Sequence, residues 1–466
     1  HLGSIRTNQL TKPSPLYLFR LRVWRTVCFE WSLEMDRCTF LYLWLSFCAA
    51  CGYKLTGHTV DTSKFPLALC LNGGAARYFI GKNPGTPSAN AGWVLYLKGG
   101  GVCATEAECT SRARGALGKP SRGETMDSSK VRLPDEVTEM DDFTRVYLPY
   151  CSGDLHSGNS SRGDLQMRGR PILEALLDVL IGQHDLALAS VLVLTGSSAG
   201  GAGTYLNADY VKDKLNPFGI KTVAVPEGGM WLYTAFFEHL YPTLGLSITA
   251  QTESSTATFE LHNQTRNSAC WDAWGRPQPG QSKCFFMDSF DRYLDTPTFV
   301  VWNRWDAHAA WMAGLIGIQP AAKKEKAVTK WGDMHEAYFK RLIQGQVQGI
   351  SRDRASGFGF FHPACVQHAN TPRGAMINGT WKGDAIGAWF RNLLNGWQLP
   401  GGKSEDPATY QLISDAPGQA GKCSSSCCSS KCKSVGCMTD DGDLISWARQ
   451  AAHLSVVVLL VTVLMR

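Results

Sequence analysis

Short unbroken apolar runs alternate with helix-length amphipathic stretches along the middle of this chain. Residues 93–97 read WVLYL and close on Lys98-Gly99-Gly100-Gly101. Similar runs occupy 145–150 (RVYLPY), 190–194 (SVLVL), 221–225 (KTVAV), 298–302 (TFVVW) and 358–361 (FGFF). A run of this length between turn residues predicts a strand buried on both faces. Between them, residues 171–181 (PILEALLDVLI) carry helical spacing and open with Pro at a first turn. Residues 203–215 and 331–347 also read as helices. Strands alternating with helices predict an α/β fold, a mostly parallel sheet with helices on both faces.

Apolar runs near the two ends predict something other than core. Met35-Asp36-Arg37 precedes CTFLYLWLSFCAA at 38–50. A basic residue, a short apolar stretch and small residues after it make a secretory signal peptide. The run is shorter than the ~20 residues a membrane span needs. Residues 35–52 are therefore expected to be cleaved, and 1–34 to be a leader outside the protein's own design. Residues 454–465 (LSVVVLLVTVLM) follow small residues at Asp440-Asp441-Gly442 and a polar spacer. That order is the pattern of a GPI-attachment signal, expected over 443–466. Residues 401–442 hold CSSSCCSSKCKSVGC, whose spacing is not that of a zinc site and predicts a disulfide-linked stalk. The folded body is expected over 65–400 as one large domain.

Composition narrows the function classes. With 466 residues, 44% hydrophobic and only 18% charged, the chain buries a large core and is neither disordered, coiled coil nor collagen-like. The net charge of +6 gives no support to a nucleic-acid binder, so none is expected. Sixteen cysteines fit an oxidising, extracellular compartment. Sequons at Asn159, Asn263 and Asn378 agree with a secreted glycoprotein. A glycan on Asn159 would restrict bulky substrates. The chain shows no internal repeat, and a monomer is expected.

The chemistry centres on Gly196-Ser197-Ser198-Ala199-Gly200, where an apolar strand enters and a helix leaves. This is a nucleophile elbow: the glycines permit a sharp turn, and the helix N-terminus behind Ser198 offers N–H groups to a developing oxyanion. A serine hydroxyl needs a base and an orienting carboxylate, expected in the chain order Ser, Asp/Glu, His. Asp306 follows the 298–302 strand and is the natural acid, whereas Asp295 precedes it. For the base, His362 and His368 both follow FGFF, and physics alone does not separate them. The loop 98–103 is expected to supply the second oxyanion donor, its glycines letting backbone N–H groups approach the substrate. No metal and no organic cofactor is expected.

Taken together, several motifs resemble one family: LYLKGGGVC at 95–103, VYLPYCSGDLHSG at 146–158, VLVLTGSSAGGAGTYLNAD at 191–209, CFF at 284–286 before VVWNRWD at 300–306, and HPACVQH at 362–368. They look like the pectin acetylesterase/Notum family of serine carboxylesterases, over about residues 65–396. The resemblance implies an α/β-hydrolase fold with Ser198 as nucleophile, Asp306 as acid and His368, rather than His362, as base. It implies oxyanion donors at Gly100, Gly101 and Ala199, and disulfides Cys103–Cys109 and Cys70–Cys151. Cys270–Cys284 is a further expected pair, and Cys365 would bridge to the tail. The chain departs from the family pattern at Lys98, where Glu is usual, and at Gly101 and Val102, where an aromatic residue borders the acyl pocket of the lipid-removing branch. Phe285 and Phe286 are expected to wall the pocket, and His156 and His308 to add polar groups. These features point to a small acyl group, such as acetate on a polysaccharide, with acylated glycoconjugates, protein delipidation and an inactive carbohydrate binder as alternatives.

Overall fold

The structure is a computed structural model. It describes residues 53–82, 92–229, 257–264, 268–273, 284, 286, 290–306, 308, 321–347, 357–363, 365, 368–369, 371, 375–377, 380–396 and 412–414. The expected signal peptide, most of the stalk and the C-terminal tail lie outside them. Everything below belongs to one compact unit beginning at Lys54.

The alternation of strand and helix folds into one ten-stranded sheet. In chain order its strands are β1 Lys54–Thr59, β2 Arg77–Gly81, β3 Trp93–Leu97, β4 Thr125–Asp127 and β5 Thr144–Leu148. A separate small hairpin, β6 Ser160–Arg162 and β7 Leu165–Met167, follows. The sheet resumes with β8 Val191–Ser197, β9 Lys221–Glu227, β10 Thr298–Val301 and β11 Phe358–His362. A second short hairpin pairs β12 Met376–Ile377 with β13 Thr380–Trp381, and β14 Leu412–Ser414 is the last strand of the main sheet. The order is β14-β11-β10-β9-β8-β3-β5-β2-β1-β4. From β14 to β5 every pairing is parallel, while β2, β1 and β4 close the other edge antiparallel. The sheet thus extends past both ends of the expected 65–400 body. β1 and β14 escape the sequence pattern because neither is an unbroken apolar run.

Among the described residues, the helices include α1 Glu106–Arg114, α2 Gly169–Gln183, α3 Ala199–Leu215, α4 Ser268–Ala273, α5 Ala321–Ile343 and α6 Lys382–Gly396. The pleat sends alternate side chains to opposite faces. Leu95 and Leu97 of β3 share one face with Val146, Leu148, Leu192 and Leu194, and α2 covers them with Ile172, Leu173, Leu176, Leu177 and Leu180. That spacing makes a continuous apolar stripe, and each buried leucine is worth roughly 1.5–3 kcal/mol over exposure. On the other face, Tyr96 stacks on Tyr147, and Phe299 meets Trp389 of α6. Helices therefore cover both faces, as expected of an α/β-hydrolase-type sheet.

Helix α5 departs furthest from its sequence reading. The stretch expected at 331–347 is α5, which starts ten residues earlier at Ala321 and ends at Ile343. Its first turns, AAKKEKA, have high helix propensity but no apolar stripe to reveal them. Its end is a Schellman motif: Gly345 adopts φ 64°, its N–H donates to Leu342 O, and Gln346 N–H donates to Arg341 O.

Three disulfides join Cys70 to Cys151, Cys103 to Cys109 and Cys270 to Cys284. The first spans a separation of 81 residues. Restricting a loop of that length in the unfolded chain is worth roughly 4–5 kcal/mol. Cys365 is also disulfide-bonded, to a partner outside the described residues.

Several histidines are buried in the neutral form. His335 lies against Trp302, and burial pushes it down to about 4. His362, at the end of β11, is held well below its usual range, again by burial. The unfolded chain protonates histidine near pH 6.5, so at lower pH it binds more protons than the folded chain. Stability should therefore fall as the pH drops below about 6.5, and keep falling until about 4, with about 3 kcal/mol from His335 alone. Urea unfolding at about pH 7.5 and about pH 5 checks this. His335→Phe should flatten the dependence, and an unchanged slope would refute the assignment.

Candidate active site

Strand β8 runs buried along its whole length and ends at Ser197, one residue before a sharp turn. Ser198 sits in that turn at φ 57° and ψ −124°, and α3 starts at the next residue. A non-glycine residue held there stores on the order of 1–3 kcal/mol of strain, which the surrounding contacts must outweigh. Ser198 N–H donates to Glu227 O at 2.9 Å, and Ala202 N–H donates to Ser198 O at 3.0 Å. The flanking glycines are required by close approach. A Cβ on Gly200 would lie 1.9 Å from Leu97 O, and one on Gly196 would lie 2.6 Å from Gly200 O. Strand β3, strand β8 and helix α3 meet only because no side chain intervenes.

This corner is also where the strand order reverses, since β3 has β5 on one side and β8 on the other. In open α/β sheets the crevice at such a switch point, beyond the carboxyl ends of the strands, is the usual binding place. Ser198 and the loop after β3 both stand there.

The loops after β10 and β11 deliver the other two groups. Arg304 N–H donates to Pro363 O at 2.9 Å and Trp305 N–H to Cys365 O at 3.1 Å, so the two loops run side by side. Asp306, fully buried, accepts from His368 Nδ1 at 2.8 and 2.9 Å and from Ala369 N–H at 3.2 Å. His368 Nε2 lies 2.8 Å from Ser198 Oγ. With the carboxylate accepting at Nδ1, that nitrogen carries the hydrogen and Nε2 presents a lone pair to the hydroxyl. His362 is excluded from this role, because it is 0% exposed and turned against Phe339 of α5. Asp295 stands before β10, where its backbone N–H donates to Asp209 and its carboxylate lies 3.8 Å from Lys212.

The glycine loop after β3 passes directly over Ser198. A Cβ on Gly99 would come within 3.0 Å of Ser198 Cβ. Gly101 adopts φ 70°, a conformation glycine enters without steric cost. Among the described residues, the N–H groups of Gly100 and Gly101 meet no acceptor, and neither does that of Ala199, the first residue of α3. Val102 packs partly buried on Tyr150, Leu155, Ala199, Ala202 and Leu206.

The remaining expected residues divide. Phe286 is 4% exposed and belongs to the core as much as to any pocket, and Phe285 lies outside the described residues. His308 is brought to the site, its ring 4.5 Å from that of His368. Burial, reinforced by the neighbouring His368, pushes His308 down to about 4, so it is neutral at pH 7. His156 is only 2% exposed, and its Nε2 is engaged by Lys98 O at 2.9 Å. The expected contact between His156 and a substrate thus gives way to support of the glycine loop, because the ring is enclosed behind it. Asn159 and Asn263 are adjacent, Asn263 Nδ2 donating to Asn159 O at 3.1 Å, while Asn378 is outside the described residues. Cys103, Cys109 and His262 cluster within 4.8 Å. The two sulfurs form a disulfide there, which removes the thiolates a metal would need.

A family model described as pectinacetylesterase matches residues 49–393. The chain belongs to the pectinacetylesterase family. This is an esterase family, and its match spans nearly all of the sheet and all of the residues just described. The chain is 28% identical to pectin acetylesterase 5 of Arabidopsis thaliana, over 70% of this chain and 78% of that protein. It is 30% identical to pectin acetylesterase 4 of the same plant, over 51% of this chain and 57% of the relative. It is 28% identical to the human palmitoleoyl-protein carboxylesterase NOTUM, over 70% of this chain and 64% of that protein. The matched part is less than two thirds of the length of the last two relatives. Among the described residues, no helix of this pectinacetylesterase family member is long and apolar enough to cross a membrane.

Proposed function

We propose that this protein is a serine carboxylesterase that hydrolyses an oxygen ester through an acyl-Ser198 intermediate. The observation that carries the reading is His368, hydrogen-bonded at once to Ser198 Oγ and to the buried Asp306. His368 Nε2 takes the Ser198 proton as Oγ attacks the ester carbonyl. The negative charge that develops on the carbonyl oxygen is held by the N–H groups of Gly100, Gly101 and Ala199 and by the N-terminus of α3. His368 then gives its proton to the departing alkoxide as the ester C–O bond breaks. Water, deprotonated by the same imidazole, attacks the acyl carbonyl; the bond to Ser198 Oγ breaks, the carboxylic acid leaves and His368 returns the proton to Oγ. Asp306 stabilises the imidazolium in both halves. No step requires a metal or an organic cofactor.

The substrate class proposed is an O-acetylated polysaccharide such as pectin. Its support is the small wall beside the nucleophile, Gly101 and Val102, together with the plant pectin acetylesterases among the relatives. The similarity to NOTUM supports a second reading, removal of a long acyl chain from a protein. Hydrolysis of p-nitrophenyl esters from acetyl to dodecanoyl separates them. Deacetylation predicts a maximum at acetate and a steep fall with length, whereas a maximum at octanoate or beyond would sink it. The disulfides support an oxidising, extracellular setting. Anchoring through a GPI-type tail, glycosylation at Asn159, Asn263 and Asn378, and a monomeric state belong to the same proposal.

A further inference from the structure

We propose that Arg112 is a positioning residue that aims the Gly101 N–H at the reacting carbonyl oxygen; this rests on the esterase reading above. The loop 98–101 is held between two surfaces. Gly99 turns toward Ser197 and Ser198, and Gly100 turns toward Leu117 and Tyr150 on the side of α1. Arg112, on α1, donates from Nη1 to Gly100 O at 2.8 Å. In a trans peptide the C=O and the next N–H point in opposite directions. Drawing the Gly100 carbonyl toward α1 therefore turns the Gly101 N–H to the Ser198 side. A charged donor on the carbonyl also polarises the peptide and strengthens the N–H opposite it. Oxyanion donors act only if fixed before charge develops, so this anchoring bears on rate rather than on substrate affinity.

Arg112 is itself held. Its guanidinium lies 5.9 Å from the centre of the Tyr150 ring. The Cys103–Cys109 disulfide ties α1 to the loop, and Cys103 N–H donates to Gly153 O at 3.0 Å. His156 does the matching work two residues upstream, its Nε2–H donating to Lys98 O at 2.9 Å. A groove of about 470 Å³, lined by Val102, Arg112 and Leu117 among others, opens beside the guanidinium.

The test is steady-state hydrolysis of p-nitrophenyl acetate by wild type, Arg112→Ala, Arg112→Met and Ser198→Ala, with thermal melting of each. Arg112→Met keeps the stem over Tyr150 and carries the test if the alanine variant does not fold. Folded variants should lose about 10- to 100-fold in kcat, with KM within about twofold of wild type. Millimolar guanidinium, entering by the groove, should restore part of the lost rate in Arg112→Ala and none in Ser198→Ala. A kcat within about twofold of wild type, or a loss carried wholly by KM, overturns the proposal. A Ser198→Ala variant that keeps full activity would instead overturn the esterase reading beneath it.

Discussion

Ser198→Ala is expected to lower kcat for ester hydrolysis by on the order of 10⁶, leaving only the residual turnover that binding and the oxyanion donors give. The size follows from what is removed. His368 and Asp306 would remain hydrogen-bonded to each other, and the oxyanion donors would remain in place, but no atom could form the acyl intermediate. The fold should survive, because Ser198 already holds φ 57° without glycine and alanine asks nothing more of the backbone. A fluorophosphonate probe should label the wild type at Ser198 and leave the variant unlabelled. Labelling elsewhere, or a kcat within about 100-fold of wild type, would remove Ser198 from the role. Failure of well-folded wild type to react with any ester or probe would favour a carbohydrate-binding role for the same frame.

Asp306→Asn should cost about 10⁴ in kcat, the loss that the same exchange produces in serine triads. The side chain keeps its volume, so packing in the fully buried pocket is little disturbed. The hydrogen-bond logic changes instead. Asp306 accepts at both oxygens from His368 Nδ1 and also takes the Ala369 N–H. An asparagine must offer an NH₂ on one side, which favours the imidazole with its hydrogen on Nε2. That tautomer presents a donor to Ser198 Oγ and leaves no base. Rates against pH distinguish this from simple loss of charge: a tautomer trapped wrongly keeps the loss at every pH. Activity within about tenfold of wild type would show that Asp306 does not orient the base.

Much of this was legible before any fold was seen. Unbroken apolar runs marked the central strands, because a strand buried on both faces must be apolar throughout. The glycines around Ser198 marked the elbow, because only glycine lets strands and helix approach so closely. Edge strands were hidden: β1 is exposed at Lys54, Thr56 and Thr59 and carries no such run. The start of α3 was hidden too, since Gly200 and Gly201 read as loop by propensity, though a helix carries them.

The sequence by itself determined the layered α/β class, the nucleophile candidate, the loop that faces it, and through family resemblance a candidate acid and base. Tertiary structure alone supplied the geometry that spacing could not. His362 ends β11 and His368 lies six positions later, and only the course of the chain buries one ring against Phe339 and delivers the other to Ser198. His156 reads as a site residue in sequence and stands behind the glycine loop in space. Arg112 has no sequence signal, because its hydrogen bond to Gly100 depends on how α1 docks. The physical reason is common to all three. Local pattern reports what each residue prefers, while the partner of a polar side chain is set by distant segments that meet only when the sheet closes its order.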